Sequence, residues 1–171
     1  MIKTSVQDAI NSQITKEIYS SNLYLSMASY YSSLNLNGFA NWMKVQAQEE
    51  LFHAMKFFDY LLERGGRAII SAIAAPPIEW SSPLGAFEAV YDHEQTVTAS
   101  INSLADLAIK ESDHATHILL QWFITEQVEE ESTTSDIAER LKIMKDFPGG
   151  LIMMDAELKT RVFVPPAQPA K

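Results

Sequence analysis

The sequence predicts an all-α fold: a four-helix bundle with a long crossover between helices two and three, closed by a short fifth helix. Three observations carry this. Four apolar stripes of helical period run for 27 to 33 residues each, far beyond the mean helix of about 11 to 12. Short turns separate the first stripe from the second and the third from the fourth, and a long stretch with two prolines separates the pairs. At 171 residues the chain fits one domain, expected over 1–162, with a loose tail over 163–171.

The first helix is expected over about 5–34. Thr4 and Ser5 are cap-type residues with Gln7 and Asp8 three positions on, and Val6, Ile10, Ile14, Glu17, Ser21, Tyr24, Ala28 and Tyr31 face inward. Asn35 to Gly38 make a short turn. The second helix, about 38–64, carries the stripe Phe39, Met43, Gln46, Glu50, His53, Phe57 and Leu61, and Gly65-Gly66 ends it. Residues 67–82 contain Pro76 and Pro77 and show no sustained period. A connection of that length can cross the bundle and make helices two and three parallel.

Ser82-Pro83 opens the third helix as a cap followed by proline at the first helical position. That helix, about 83–109, turns Phe87, Val90, Glu94, Val97, Ile101, Leu104 and Ala108 inward. A short turn leads to the fourth, about 113–145, with Leu120, Phe123, Gln127, Glu130, Ile137, Leu141 and Met144 on its stripe. Pro148-Gly149-Gly150 breaks it, and a fifth helix follows over about 151–162.

Composition excludes several classes. The chain has no cysteine, so disulfides, thiolate metal sites and thiol nucleophiles are ruled out, and any metal is held by oxygen and nitrogen. A net charge of −9 argues against nucleic acid, whose phosphates need Lys and Arg, and is compatible with attracting cations. The start lacks an apolar signal core, and the run from Ala68 to Ala75 is too short to span a bilayer. A cytoplasmic location with no membrane partner is expected.

Polar residues interrupt all four stripes at matching depth. Positions 17 and 53 are symmetric about the first turn, and 94 and 130 about the second; each lies some 18 residues from its turn, roughly 27 Å along a helix axis. Glu17 to Glu50 and Glu94 to Gln127 are both 33 residues apart, and Glu50-x-x-His53 is answered by Gln127-x-x-Glu130. Residues three apart on a helix share a face, so each pair can hold one ion from a single element. No Lys or Arg lies on the stripes near this layer, and uncompensated buried carboxylates are costly. Glu17, Glu50, Glu94 and Glu130 would bring four negative charges, which two divalent ions neutralise. One imidazole among carboxylates suits iron or manganese better than copper or structural zinc. A dinuclear centre in mid-bundle is expected.

With that pattern in view, nearly the whole chain resembles the bacterial non-haem ferritins, a family whose four-helix bundles carry inward carboxylates with Glu-x-x-His spacing. The resemblance implies an iron-storing ferroxidase that oxidises Fe²⁺ with dioxygen or peroxide and keeps ferric mineral inside a homo-oligomeric shell of 24 subunits. It implies that Glu17, Glu50 and His53 hold one iron, that Glu50 bridges to a second on Glu94 and Glu130, and that Gln127 lies beside the second. It further implies a third iron on Glu49, Glu126 and Glu129 with Glu130 shared, although 126–131 also reads as a solvated acidic run.

Tyr24 and Trp122 would be hydrogen-bonding or electron-donating neighbours of the irons, or plain core aromatics. His93, His114 and His117 fall off the stripe and are expected at the surface, with Asp113 and His117 available to line an ion-access channel. Bacterioferritins have Glu-x-x-His in both halves and a haem-binding methionine beside the site histidine; Phe52 stands there in this chain, so haem is not expected. Mini-ferritins, with irons between subunits, lack the mid-bundle set. Two alternatives use the same residues differently: a di-metal peroxidase or manganese catalase without storage, and a helical bundle with no catalysis.

Overall fold

The structure, a computed structural model, describes residues 2–165. Five helices appear in order: α1 Thr4–Ser33, α2 Asn37–Glu63, α3 Pro83–Lys110, α4 His114–Ile143 and α5 Pro148–Leu158. There is no strand among the described residues, so the all-α reading holds. Every stripe residue named from the sequence is buried except Met144, which is half-buried.

Helices α1–α2 and α3–α4 form two antiparallel hairpins. Three of the helix ends close in the same way, with a left-handed residue just past the cap. Gly65 has φ 71°, Asn35 φ 61° and Ser112 φ 56°; the next N–H then bonds back to Leu61, Tyr31 and Ala108 respectively, satisfying a carbonyl that the helix leaves open.

The connection from Gly65 to Ser82 runs the length of α1. Gln7 accepts the Arg67 N–H at 2.9 Å, Asn11 accepts from Ile69 N at 2.8 Å, Ser26 donates to Pro77 O at 2.6 Å and Tyr31 donates to Pro83 O at 2.7 Å. Residues 7 to 31 of a helix span roughly 36 Å, whereas sixteen helical residues would cover only about 24 Å. The connection must therefore be extended to make the crossing. It delivers α3 parallel to α2.

Two local expectations are corrected. Thr4 and Ser5 lie inside α1, whose N-cap is Lys3 with no side chain bonded to the first turn; Gln7, expected in a capping box, instead holds the crossover. The fifth helix begins and ends earlier than expected, because Pro148 opens it rather than breaking the chain before it. Proline at a first helical position forgoes an N–H that would have no helical partner. The tail expected over 163–171 lies from residue 166 onward outside the described residues.

The short fifth helix docks by polar contacts as well as packing. Asp155 Oδ1 accepts the N–H groups of Gly38 at 2.7 Å and Phe39 at 3.1 Å, so α5 caps α2 from 117 residues away. A Cβ on Gly38 would fall 1.6 Å from the Asp155 carbonyl oxygen, and only glycine permits that approach.

The interior divides into two apolar clusters. One, at the α1–α2 turn, is built around Tyr31, Phe39, Met43, Phe87 and Met154; the other, at the opposite end, around Ile10, Phe57, Leu61, Ile101 and Phe123. Phe57 and Phe123 stack with centroids 3.9 Å apart, and truncating either would cost about 3–5 kcal/mol. Between the clusters lies a polar layer.

Candidate metal centre

The four long helices α1–α4 all contribute to this layer. Glu17, Glu50, His53, Glu94, Gln127 and Glu130 are all buried at no more than 8% exposure. Their equal depth follows from the hairpin geometry: Ser21 Oγ donates to Ala47 O at 2.8 Å across α1–α2, and Gln127 Nε2 donates to Glu94 Oε2 at 3.1 Å across α3–α4. The two hairpins meet where the Tyr24 hydroxyl donates to Glu94 Oε1.

Glu17, Glu50 and His53 offer ligand atoms that all lie within 4.8 Å of one another, the one such trio among the described residues. His53 Nδ1 stands 3.5 Å from Glu50 Oε2. Glu94 and Glu130 face this trio from the other hairpin but lie outside it. No Lys or Arg bonds any of the four carboxylates among the described residues, and Glu17 Oε2 and Gln46 Oε1 are buried without a partner. A buried oxygen left unpaired is costly, and a cation between the helices would satisfy it.

Electrostatics point the same way. Burial pushes the Glu17 carboxyl well above the usual value, and the Glu50 charge pushes it further. Glu50 is raised by burial and by Glu94, and Glu130 by burial, Glu94 and Glu50. Glu94 is raised by burial, with bonds from Tyr24 and Gln127 opposing. Four carboxylates that cannot all ionise alone form a strong trap for positive charge. The Tyr24 hydroxyl is itself raised, by burial and then by Glu94, so it stays protonated and donates.

Sequence reasoning assigned no role to the residues that aim the ligands. Lys16 Nζ donates to Ser100 Oγ at 2.6 Å, Ser100 donates to Gln13 Oε1 at 2.6 Å, and Gln13 Nε2 donates to Glu17 Oε1 at 2.7 Å. Because lysine can only donate, the direction of this relay is set from its exposed end. Gln46 Nε2 likewise donates to Glu50 Oε1 at 3.2 Å. Both glutamines sit four residues before the carboxylate they hold, a spacing that could have signalled them.

The two aromatic neighbours lie at different parts of the layer, Tyr24 on Glu94 and Trp122 on His53. The Trp122 ring packs against His53 with centroids 5.4 Å apart, on the trio's side, and Lys56 Nζ lies 3.9 Å from the Trp122 ring centre. His93 is half-buried rather than fully at the surface: Ser20 Oγ is 2.8 Å from its Nε2, Tyr24 and Tyr19 flank its ring, and burial lowers its pKa to about 4. It sits one position before Glu94, where the edge of the stripe is already covered. His114 is exposed, and His117, half-buried, lies 3.2 Å from Gln121 Nε2. Asp113, named with it for an ion-access channel, is bonded within the chain. Its two oxygens are taken by Arg64 at 3.0 and 3.2 Å, and it caps α4 at Thr116 N.

The outer acidic set is less assembled. Glu49 and Glu126 are half-buried and Glu129 is exposed. The Glu49 carboxylate is paired with Arg161, which follows α5.

Comparison with known proteins agrees with this helical architecture. The family model described as the ferritin-like domain matches residues 7–144. A bacterial non-heme ferritin of Bacteroides fragilis strain 638R is 44% identical over 161 residues, covering 94% of this chain and all of the relative. One of Staphylococcus saprophyticus is 39% identical over 163 residues, covering 95% and 98%. Among solved structures, an engineered closed form of the Archaeoglobus fulgidus ferritin superposes with a TM-score of 0.95 at 51% identity, covering 96% of this chain and all of that one. The open pore ferritin of the same archaeon gives 0.93 at 51% identity, covering 95% and 100%.

Proposed function

Because the chain belongs to the ferritin family, we propose that it is an iron-storing ferroxidase, an iron oxidoreductase that works in the cytoplasm as a homo-oligomeric shell of 24 subunits. The observation that carries this is the layer of four buried carboxylates with no basic partner, beside an imidazole. Glu17, Glu50 and His53 hold one Fe²⁺; Glu50 bridges to a second held by Glu94 and Glu130, with Gln127 beside it. Two divalent ions balance the four charges. Glu49, Glu126 and Glu129, with Glu130 shared, take a third iron.

The chain's own groups then set the chemistry. Two Fe²⁺ give up one electron each, and dioxygen takes both with two protons to leave as hydrogen peroxide; peroxide as oxidant takes them and leaves as two waters. The Gln13 and Gln46 amides fix the Glu17 and Glu50 carboxylates, so that charge is stabilised by groups already oriented. Tyr24 steadies ionised Glu94. Metal-assisted loss of carboxylate protons follows from the raised values, since ligands must deprotonate to bind. Phe52 packs near His53 and Trp122 with ring centroids at 6.4 and 6.2 Å, and its phenyl ring offers no ligand atom to a haem iron. Among the described residues no helix is long and apolar enough to cross a membrane.

The test is to add Fe²⁺ to metal-free protein without oxygen, admit air, and follow ferric absorbance with particle size. Oxidation faster than in buffer, in a particle near 24 times the 19.2 kDa chain, is expected. A dimer with no mineral would point to a di-metal enzyme without storage, and oxidation at the buffer rate would sink the ferroxidase reading.

A further inference from the structure

Arg161 lies three residues beyond α5 and is the one basic group in ion-pair contact with the outer acidic set among the described residues, while Lys56 acts on Glu126 from longer range. Its Nη2 contacts Glu49 Oε2. The guanidinium carbon lies 4.3 Å from the centre of the Trp42 ring, and Nη1 donates to Trp42 O at 3.4 Å. Arginine suits such a place because its planar cation stacks on an aromatic face while its N–H groups bind a carboxylate. The Asn41 amide accommodates the backbone on either side, donating to Leu158 O at 3.4 Å, Lys159 O at 3.3 Å and Arg161 O at 3.0 Å. Beyond it Phe163 packs on Phe52, centroids 6.1 Å apart. Residues 159–163 thus form a strap along α2, with the positive charge set down on Glu49.

We propose that Arg161 is a tethered cation that sets the affinity of the Glu49–Glu126–Glu129 cluster for metal ions. A metal ion binding Glu49 must displace the guanidinium, because one carboxylate oxygen cannot serve both in full and two cations so close repel. The strap is therefore a built-in competitor, held by local contacts at an effective concentration that no free ion has to match elsewhere in the molecule. Occupancy of the mid-bundle trio does not require its release, since Glu17, Glu50 and His53 make no contact with it. The consequence is an ordering: the mid-bundle positions fill first, and the outer cluster fills only at higher ion levels, with the strap loosening as it does. The inference rests on the reading of the outer cluster as a metal position.

The experiment is a titration of metal-free full-length protein with Tb³⁺, an oxygen-seeking probe, followed by sensitised luminescence and by calorimetry, for the native chain, Arg161→Gln and Arg161→Lys. Gln removes the charge and keeps a polar chain; Lys keeps the charge and loses the forked geometry. The expected result is that Arg161→Gln binds the ion added last about tenfold more tightly than the native chain, as loss of a competing charge-assisted pair predicts, with the earlier sites unchanged. Arg161→Lys should fall between. In the native chain, filling the last site should increase proteolysis at Lys159 and Arg161. Equal last-site affinity in all three proteins would overturn the tethered-cation role while leaving the cluster a metal position. If instead no protein takes up an ion that Glu49→Gln abolishes, the outer cluster is not a metal position and the proposal falls with it.

Discussion

Gln13 Nε2 donates to Glu17 Oε1 at 2.7 Å, and the other oxygen of the same carboxylate, Oε2, is buried with no partner. One oxygen is thus anchored and the other is presented to the middle of the bundle. Ser100 and Lys16 fix which end of the Gln13 amide faces Glu17. Gln13→Leu should weaken the tightest divalent-ion binding by about 10- to 100-fold, the range found when groups that orient ligands are lost. Calorimetry on the metal-free protein checks this, with helicity by circular dichroism unchanged.

Removing the ligands themselves should act more strongly. Glu50→Ala strips the carboxylate proposed to bridge the two ions and His53→Ala the single imidazole of the layer, and either should slow the fast phase of Fe²⁺ oxidation by more than about 100-fold. Both remove a buried polar group from a layer that lacks basic partners, so neither leaves an opposite charge stranded. Particle size by light scattering should be unchanged. A disassembled particle would mean that the layer serves structure instead.

The four carboxylates also make stability depend on pH in a definite direction. In the folded, metal-free chain Glu17, Glu50 and Glu130 are raised well above 4.5 and Glu94 is raised too, with burial the first cause in each. A raised group binds more protons folded than unfolded, so its contribution is fully present below pH 4.5 and is lost as pH climbs through the folded value. Asp113 acts oppositely: burial alone would raise it, but the Arg64 and Thr116 bonds outweigh that and hold it low, so its contribution fades only in acid. The melting temperature of metal-free protein should fall as pH rises above 4.5, because ionising the raised groups favours the unfolded chain. Added Mn²⁺ should flatten the slope, because ions that bind the ionised carboxylates stabilise the folded state. A rising melting temperature without metal would refute the reading.

Asp155 caps α2 from α5 through Gly38 N and Phe39 N. Asp155→Ala should cost about 1 kcal/mol, as loss of an N-cap does. Gly38→Ala should cost more, since its Cβ would collide with the Asp155 backbone. Chemical denaturation of both variants gives the comparison, and loss of α5 docking should appear as faster proteolysis after Ile143.

The helical periods, the length of the crossover and the recurrence of Glu50-x-x-His53 as Gln127-x-x-Glu130 were legible in the sequence because each depends on spacing within an element or on counting outward from a turn. Periodicity fixes which face is buried, and equal distance from a turn fixes depth. That is why Glu17, Glu50, His53, Glu94, Gln127 and Glu130 could be placed in one layer before any coordinate was known. What the tertiary structure decided are contacts between residues far apart in the chain: Asp155 on Gly38, Gln7 on the crossover, Ser100 on Gln13, His93 tucked against Ser20, and Arg161 on Glu49. No local pattern encodes these, because each depends on how two elements are set side by side, and that is determined by packing the whole chain.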